Sequence, residues 1–186
     1  MTLSGYAVRP QKSVGKVRKS TIDEKFVIEA GRWLYTETLE AKLAFCDEVA
    51  KKQPRVLQCV LSLHRLEVSP DVQGHAINIL LFFYDCFSRS TPGLPLITDA
   101  MLDDAFDKTN AMLRLIETEP DDQKEETIKQ TIFSYCDLHV LAMYSGYTRE
   151  KGMNQASREH EIVLRTLQAV LNAFLEVRRQ TLVGTD

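Results

Sequence analysis

A chain of 186 residues with 44% apolar and 26% charged side chains has the size and balance of a globular domain that folds without a disulfide or metal staple. Eight glycines and six prolines are too few for a turn-dense β-sandwich, and the composition excludes collagen, wholesale disorder and a disulfide-rich miniature scaffold. The net charge is −3, but Arg9, Lys12, Lys16, Arg18 and Lys19 give residues 1–20 a formal +5 with no acid, which leaves −8 on the other 166.

Few large apolar residues accompany that basic charge, so residues 1–20 are expected to be a flexible tail ahead of one domain over 21–186. The five cations are candidate contacts to an anionic surface, either nucleic acid or the acidic body of a second copy. Nucleic acid is the weaker candidate, because no aromatic stacking series accompanies the charge.

Cys46, Cys59, Cys86 and Cys136 form no CxxC, and each lies in an apolar run with helical character. They read as reduced, buried thiols rather than a disulfide frame or zinc site. No apolar leader follows the first residue. The longest nearly unbroken apolar run, residues 76–87, falls short of the roughly 20 residues that span a bilayer. A cytoplasmic protein without membrane contact is expected.

Six helices are predicted, over about 21–52, 54–68, 70–87, 98–118, 121–145 and 154–182, with no strand alternation and no solenoid repeat. The first opens on a Thr21–Glu24 capping box, and Leu39, Leu43, Cys46 and Ala50 share one face of its second half. Gly31 is a candidate bend. Pro54 opens the second helix, with Leu57, Val60, Leu61 and His64 on one stripe. Ser69-Pro70 starts the third. Its second half, residues 76–87, is apolar on almost every side and so must be buried all round.

Residues 88–97 form the one long loop, read as a functional loop or, more simply, as a crossover between helices. Thr98 caps the fourth helix, whose buried side is expected to hold Met101, Leu102, Ala105, Met112, Leu115 and Ile116. The fifth begins charged, but residues 132–144 are nearly solid apolar and read as a second buried centre. In the sixth, Val163, Leu167, Val170, Phe174 and Val177 step at heptad spacing, and Leu164, Leu171 and Leu175 widen the stripe. The fold class is an all-α bundle with two central, nearly all-apolar helices.

Signatures of catalysis and phosphate binding are missing. There is no ExxH pair, HExxH, HD dipeptide, GxxxxGK[ST], GxGxxG or GxSxG. The unusual residues are polar groups inside the apolar helices. Asp85 lies in the third helix, and Asp137 and His139 in the fifth. A buried carboxylate must be paired, hydrogen-bonded or protonated.

One reading joins Asp85, Asp137 and His139, with His75 or His64, in an internal metal or ligand pocket. The simpler reading pairs Asp85 with Arg89, turns Asp137 outward and hydrogen-bonds His139 to a carbonyl. His64 and Glu67 share a helical face and can hold at most two ligand positions of a metal. Glu37, Glu40 and Asp47 read as a solvated charged face.

These residues point to a non-catalytic interaction, scaffold or regulatory module that acts as an oligomer, most simply a homodimer. Two all-apolar helices and a wide sixth stripe are more than a six-helix chain buries by itself. The alternative is a metal- or small-molecule-binding bundle, even an enzyme, built around Asp85, Asp137 and His139. No cofactor is expected, and the partner is a second copy or another protein.

Overall fold

The computed structural model describes residues 22–134 and 137–183. They form α1 (Glu24–Thr36), α2 (Leu39–Lys52), α3 (Pro54–Leu61), a 3-10 helix (Ser62–Leu66), α4 (Pro70–Ser90), α5 (Asp99–Thr118), α6 (Asp121–Ser134), α7 (Leu138–Glu150) and α8 (Arg158–Val183). No strand occurs among them, and the all-α bundle holds. The basic tail with Arg9, Lys12, Lys16, Arg18 and Lys19, the Thr21 cap, and Cys136 lie outside the described residues.

Helix α4 is the centre that its sequence demanded. Pro70 sits at its first turn, and every residue of 79–87 is buried. Helices α1, α3 and α8 pack round it. Phe87 stacks on Phe174 of α8 with ring centroids 5.2 Å apart, and Phe83 meets Tyr144 of α7 edge-on at 5.5 Å. The heptad-spaced residues of α8, Val163, Leu167, Val170, Phe174 and Val177, are all buried. Each such side chain is worth about 1.5–3 kcal/mol once removed from water.

Two of the predicted helices, 21–52 and 121–145, are each broken in two. The first ends at Thr36, and Thr38 starts α2 by accepting a hydrogen bond from the Ala41 N–H at 3.2 Å. The α1 carboxyl end is closed locally. The Glu37 N–H returns to the Trp33 carbonyl, and Lys42 Nζ donates to the Leu34 carbonyl at 2.8 Å. Asp23 caps α1 through the Lys25 N–H. Gly31 lies inside α1 at a point of close approach: a Cβ there would lie 2.7 Å from Met143 Cε of α7.

The fifth predicted helix is interrupted at Asp137, which is not helical, and the described residues on either side do not make a second buried centre. Helix α6 has no buried side chain among the described residues, Ile128 and Ile132 are exposed, and α6 packs chiefly on α5. Of the apolar stretch 132–144, Val140 and Tyr144 reach the core, while Leu141 and Met143 are half-buried. Leu115 of α5 is also exposed rather than buried.

The second predicted helix is shortened. It tightens into the 3-10 helix and stops at Glu67, a residue in the left-handed region with φ 62°. Of the stripe Leu57, Val60, Leu61 and His64, the first two are buried and the last two exposed. The predicted 88–97 loop shortens to a crossover over 91–98, because 88–90 complete α4, and Gln53 fastens its far half. Buried Gln53 donates from Nε2 to the Pro95 carbonyl at 2.8 Å and accepts the Ile97 N–H on Oε1 at 2.9 Å.

Candidate functional site

The buried carboxylates singled out in the sequence hold helices together. Asp85 is buried, and its Oδ1 accepts from Arg89 Nε at 2.7 Å. Arg89 then reaches Glu29 of α1 at 3.2 Å, so the pair ties α4 to α1. Asp137 is 2% exposed instead of turned outward, and its Oδ1 accepts the Ile22 N–H at 2.8 Å. That bond anchors the segment entering α1 on the segment entering α7.

Arg178 of α8 is buried nearby. Its Nη1 donates to Ser90 Oγ and to Thr91 Oγ1 at the end of α4, and burial lowers its pKa against the opposing charge of Asp137. Burial drives the Cys86 thiol well above its ordinary range, and Asp85 and Asp137 push it further in the same direction. This thiol stays protonated and is a core residue.

Among the described residues, Asp85, Asp137 and His139 form no metal-type cluster. His139 is exposed on α7, and among the described residues it has no hydrogen bond to a carbonyl. His64 is exposed and donates from Nδ1 to the Leu61 carbonyl of its own turn at 2.6 Å. Glu67 sits in the left-handed position that ends the turn, so the two do not share a regular helical face. Glu37, Glu40 and Asp47 are exposed. No group of three or more His, Cys, Asp or Glu side chains among the described residues has the geometry of a metal site.

His75 is placed differently. Its Nδ1 lies 3.1 Å from the Tyr147 hydroxyl, which Asn78 Nδ2 also approaches at 3.4 Å. Lys151 lies 5.6 Å from the ring centre of Tyr35 and 5.7 Å from that of Tyr147, within cation–π range. Tyr35 donates to Glu150 Oε2 at 2.7 Å, and burial together with that carboxylate pushes its pKa up to about 12. Desolvation, helped by Lys151, lowers the His75 pKa, with Asp71 acting in the opposite direction. The sequence offered no signal for this cluster, because its members come from α1, α4 and α7 and the residue after α7.

His75 and Asn78 stand on one wall of a groove of about 780 Å³ between α2, α3 and α4. Leu39, Leu43, Cys46 and Ala50 of α2 form the opposite wall, and Leu57 and Leu61 close one end. The 39-43-46-50 stripe is not the buried side of its helix: Leu39 is 74% exposed and Leu43 57%.

The core side of α2 is instead Phe45 and Val49, roughly 110° round the helix at 100° per residue. Val49 is fully buried, and Phe45 meets Trp33 edge-on at 5.0 Å and tilts against Tyr84 at 5.6 Å. Because α2 starts at its own cap, its phase is independent of α1. The groove is roomy where Gly74 of α4 faces it, since a Cβ at that position would meet nothing within 4 Å.

No family model, curated protein or solved structure significantly matches the chain. No described helix is long and apolar enough to cross a membrane.

Proposed function

We propose that this chain is a non-catalytic interaction module whose groove between α2, α3 and α4 receives an amphipathic α-helix from a protein partner. The observation that carries the reading is the apolar stripe Leu39-Leu43-Cys46-Ala50, left open to solvent at the spacing with which helices pack on one another. A folded chain that buries the centre of α4 completely leaves two leucines of α2 more than half exposed beside an apolar cleft. Covering such a side chain returns about 1–2 kcal/mol. Exposed apolar surface gathered in one concavity marks a contact site more strongly than scattered leucines do.

The alternative of a metal or ligand pocket draws no support from the geometry, since Asp85 is engaged by Arg89, Asp137 by the Ile22 N–H, and His139 is exposed to solvent. The test is an NMR titration of the isotope-labelled chain with a designed helix of about 16 residues carrying leucine at its a and d positions. Shifts confined to the groove are expected, and Gly74→Leu should abolish them by filling the open space while leaving the fold intact. Leucine is a better helix former than glycine, so this variant is not burdened by lost helix propensity. Absence of groove shifts at saturating peptide, or shifts that survive Gly74→Leu, defeats the reading.

A further inference from the structure

We infer that the helix received by the groove is α2 of a second copy of this chain, laid parallel to the first about a two-fold axis. In that arrangement α2 and α4 of each protomer close into a four-helix bundle. The inference rests on the groove being a helix-binding surface, and it names the occupant.

The groove calls for a helix with an apolar seam, and α2 itself presents one. Leu39, Leu43, Cys46 and Ala50 step 4, 3, 4, which is the alternation of d, a, d and a positions in a heptad. The same four residues line the cleft, so one surface is both ligand and receptor, as a two-fold interface requires.

The charges beside the seam decide the direction. Lys42 precedes the a residue Leu43 and so takes a g position. Glu40 and Asp47 each follow a d residue and take e positions. Parallel helices pair g with the e position five residues further on, which sets Lys42 against Asp47 of the partner subunit, twice over by symmetry. Antiparallel helices pair e with e and g with g, which brings Glu40 against Asp47 of the partner subunit and leaves Lys42 without an acidic mate, since the other g position is a valine.

Both charged residues are available for this contact. Asp47 is exposed and has no ion pair among the described residues. Lys42 gives one N–H to the Leu34 carbonyl and retains two more donors. Parallel packing also sets each d residue beside its own symmetry mate, so Cys46 faces Cys46 of the partner subunit. Antiparallel packing sets a against d and separates them.

The experiment uses the full chain in two measurements. In the first, diamide is added to the native protein. Two thiols lose their protons and one electron each to form a disulfide, and diamide takes up both electrons and both protons to become the hydrazine. A covalent dimer that forms in the wild type and vanishes in Cys46→Ser is expected. A cross-link that persists in Cys46→Ser, or none at all, overturns the parallel register.

The second is sedimentation velocity over a concentration series. Lys42→Glu should weaken the dimer about tenfold, through two lost pairs replaced by repulsion, and Lys42→Glu combined with Asp47→Lys should restore it. A dimer indifferent to both changes also overturns the register. A chain that is monomeric up to its solubility limit overturns self-pairing. If that monomer still binds the designed helix, the groove reading survives alone; if it does not, both fall.

Discussion

Replacing Gln53 by alanine is expected to destabilise the fold by about 4 kcal/mol. The side chain is 1% exposed at the corner between α2 and α3, where it holds two backbone groups of the crossover, the Pro95 carbonyl and the N–H of buried Ile97. Truncation strands the buried Ile97 N–H and forfeits the bond to the carbonyl of exposed Pro95, worth about 1 kcal/mol. A buried polar group without its partner costs about 1–3 kcal/mol, and the vacated volume adds about 1 kcal/mol more. For a chain of this length, the loss corresponds to a melting point lower by about 8–16 °C.

Gln53→Glu separates hydrogen bonding from packing. It keeps the volume and the acceptor for Ile97, but its carboxylate faces the Pro95 carbonyl oxygen. The protonated acid regains the lost donor, so the folded state holds the carboxyl above its ordinary value of about 4.3. A raised folded-state value means that the folded chain takes up the proton first. The stability deficit of Gln53→Glu relative to wild type should therefore shrink as pH falls from 7 towards that value. Urea denaturation of all three proteins at pH 7 and pH 5 measures both effects. A cost below about 1 kcal/mol for Gln53→Ala, or a Gln53→Glu deficit that grows on acidification, refutes the reasoning.

At Gly31, alanine should be within about 1 kcal/mol of neutral, because its gain in helix propensity offsets the displacement of the flexible end of Met143; leucine should cost about 2–3 kcal/mol by forcing α1 from α7, and equal unfolding midpoints for the two would show that the contact does not matter. The lowered His75 value means that the unfolded chain takes the proton first, so stability should decline as pH falls below the ordinary 6.5, and His75→Gln should flatten that slope in denaturation curves at pH 5 to 8. Glu176, held down to about 2 by Arg179 and Gln180, contributes stability that is present above 4.5 and lost as pH falls from 4.5 towards 2. Glu176→Gln should remove about 1 kcal/mol at most, since Arg179 is largely exposed to screening solvent, and an acid-unfolding midpoint identical to wild type contradicts the shift. Asp137→Ala should lower stability by about 3 kcal/mol, as the Ile22 N–H loses its acceptor and buried Arg178 a nearby negative charge; a loss under about 1 kcal/mol in urea rules out that anchoring role.

Where one element dominates its surroundings, the sequence was readable. The all-apolar half of α4 had to be central, and the heptad steps of α8 had to face it; both follow from burial alone. Thr98, Pro70 and Pro54 marked helix starts through local chemistry that tertiary contacts did not override.

The two missed helix breaks share one cause. Periodicity was carried across 36–38 and through Asp137, where no glycine or proline marks a stop. The breaks come with bonds that no local pattern announces. Lys42 closes the end of α1, and Asp137 binds the Ile22 N–H over a separation of 115 residues. Asp85 and Asp137 were legible as unusual polar residues, but the partners that satisfy them were not, so a pocket was expected where the fold has fastenings. The Tyr35–Lys151–Tyr147–His75 cluster had no local pattern to betray it.

The break at 36–38 is what links fold to function. Had α1 and α2 been one helix, the phase set by Val27, Ala30 and Leu34 would have continued into the second half and fixed which face met the core. Starting afresh at Thr38 frees α2 to bury Phe45 and Val49 and to turn its leucine stripe outwards. The cost is a fourteen-residue helix with one fully buried residue, near the length at which isolated helices are marginal in water. Thr38, the Lys42 bond to Leu34, the aromatic contacts of Phe45 and the Gln53 corner hold it at its ends and along one side. On the groove side, Leu39 and Leu43 face solvent. A partner that binds only the folded helix stabilises it by mass action, so the same exposed leucines that weaken α2 in the monomer make its order depend on the partner's concentration.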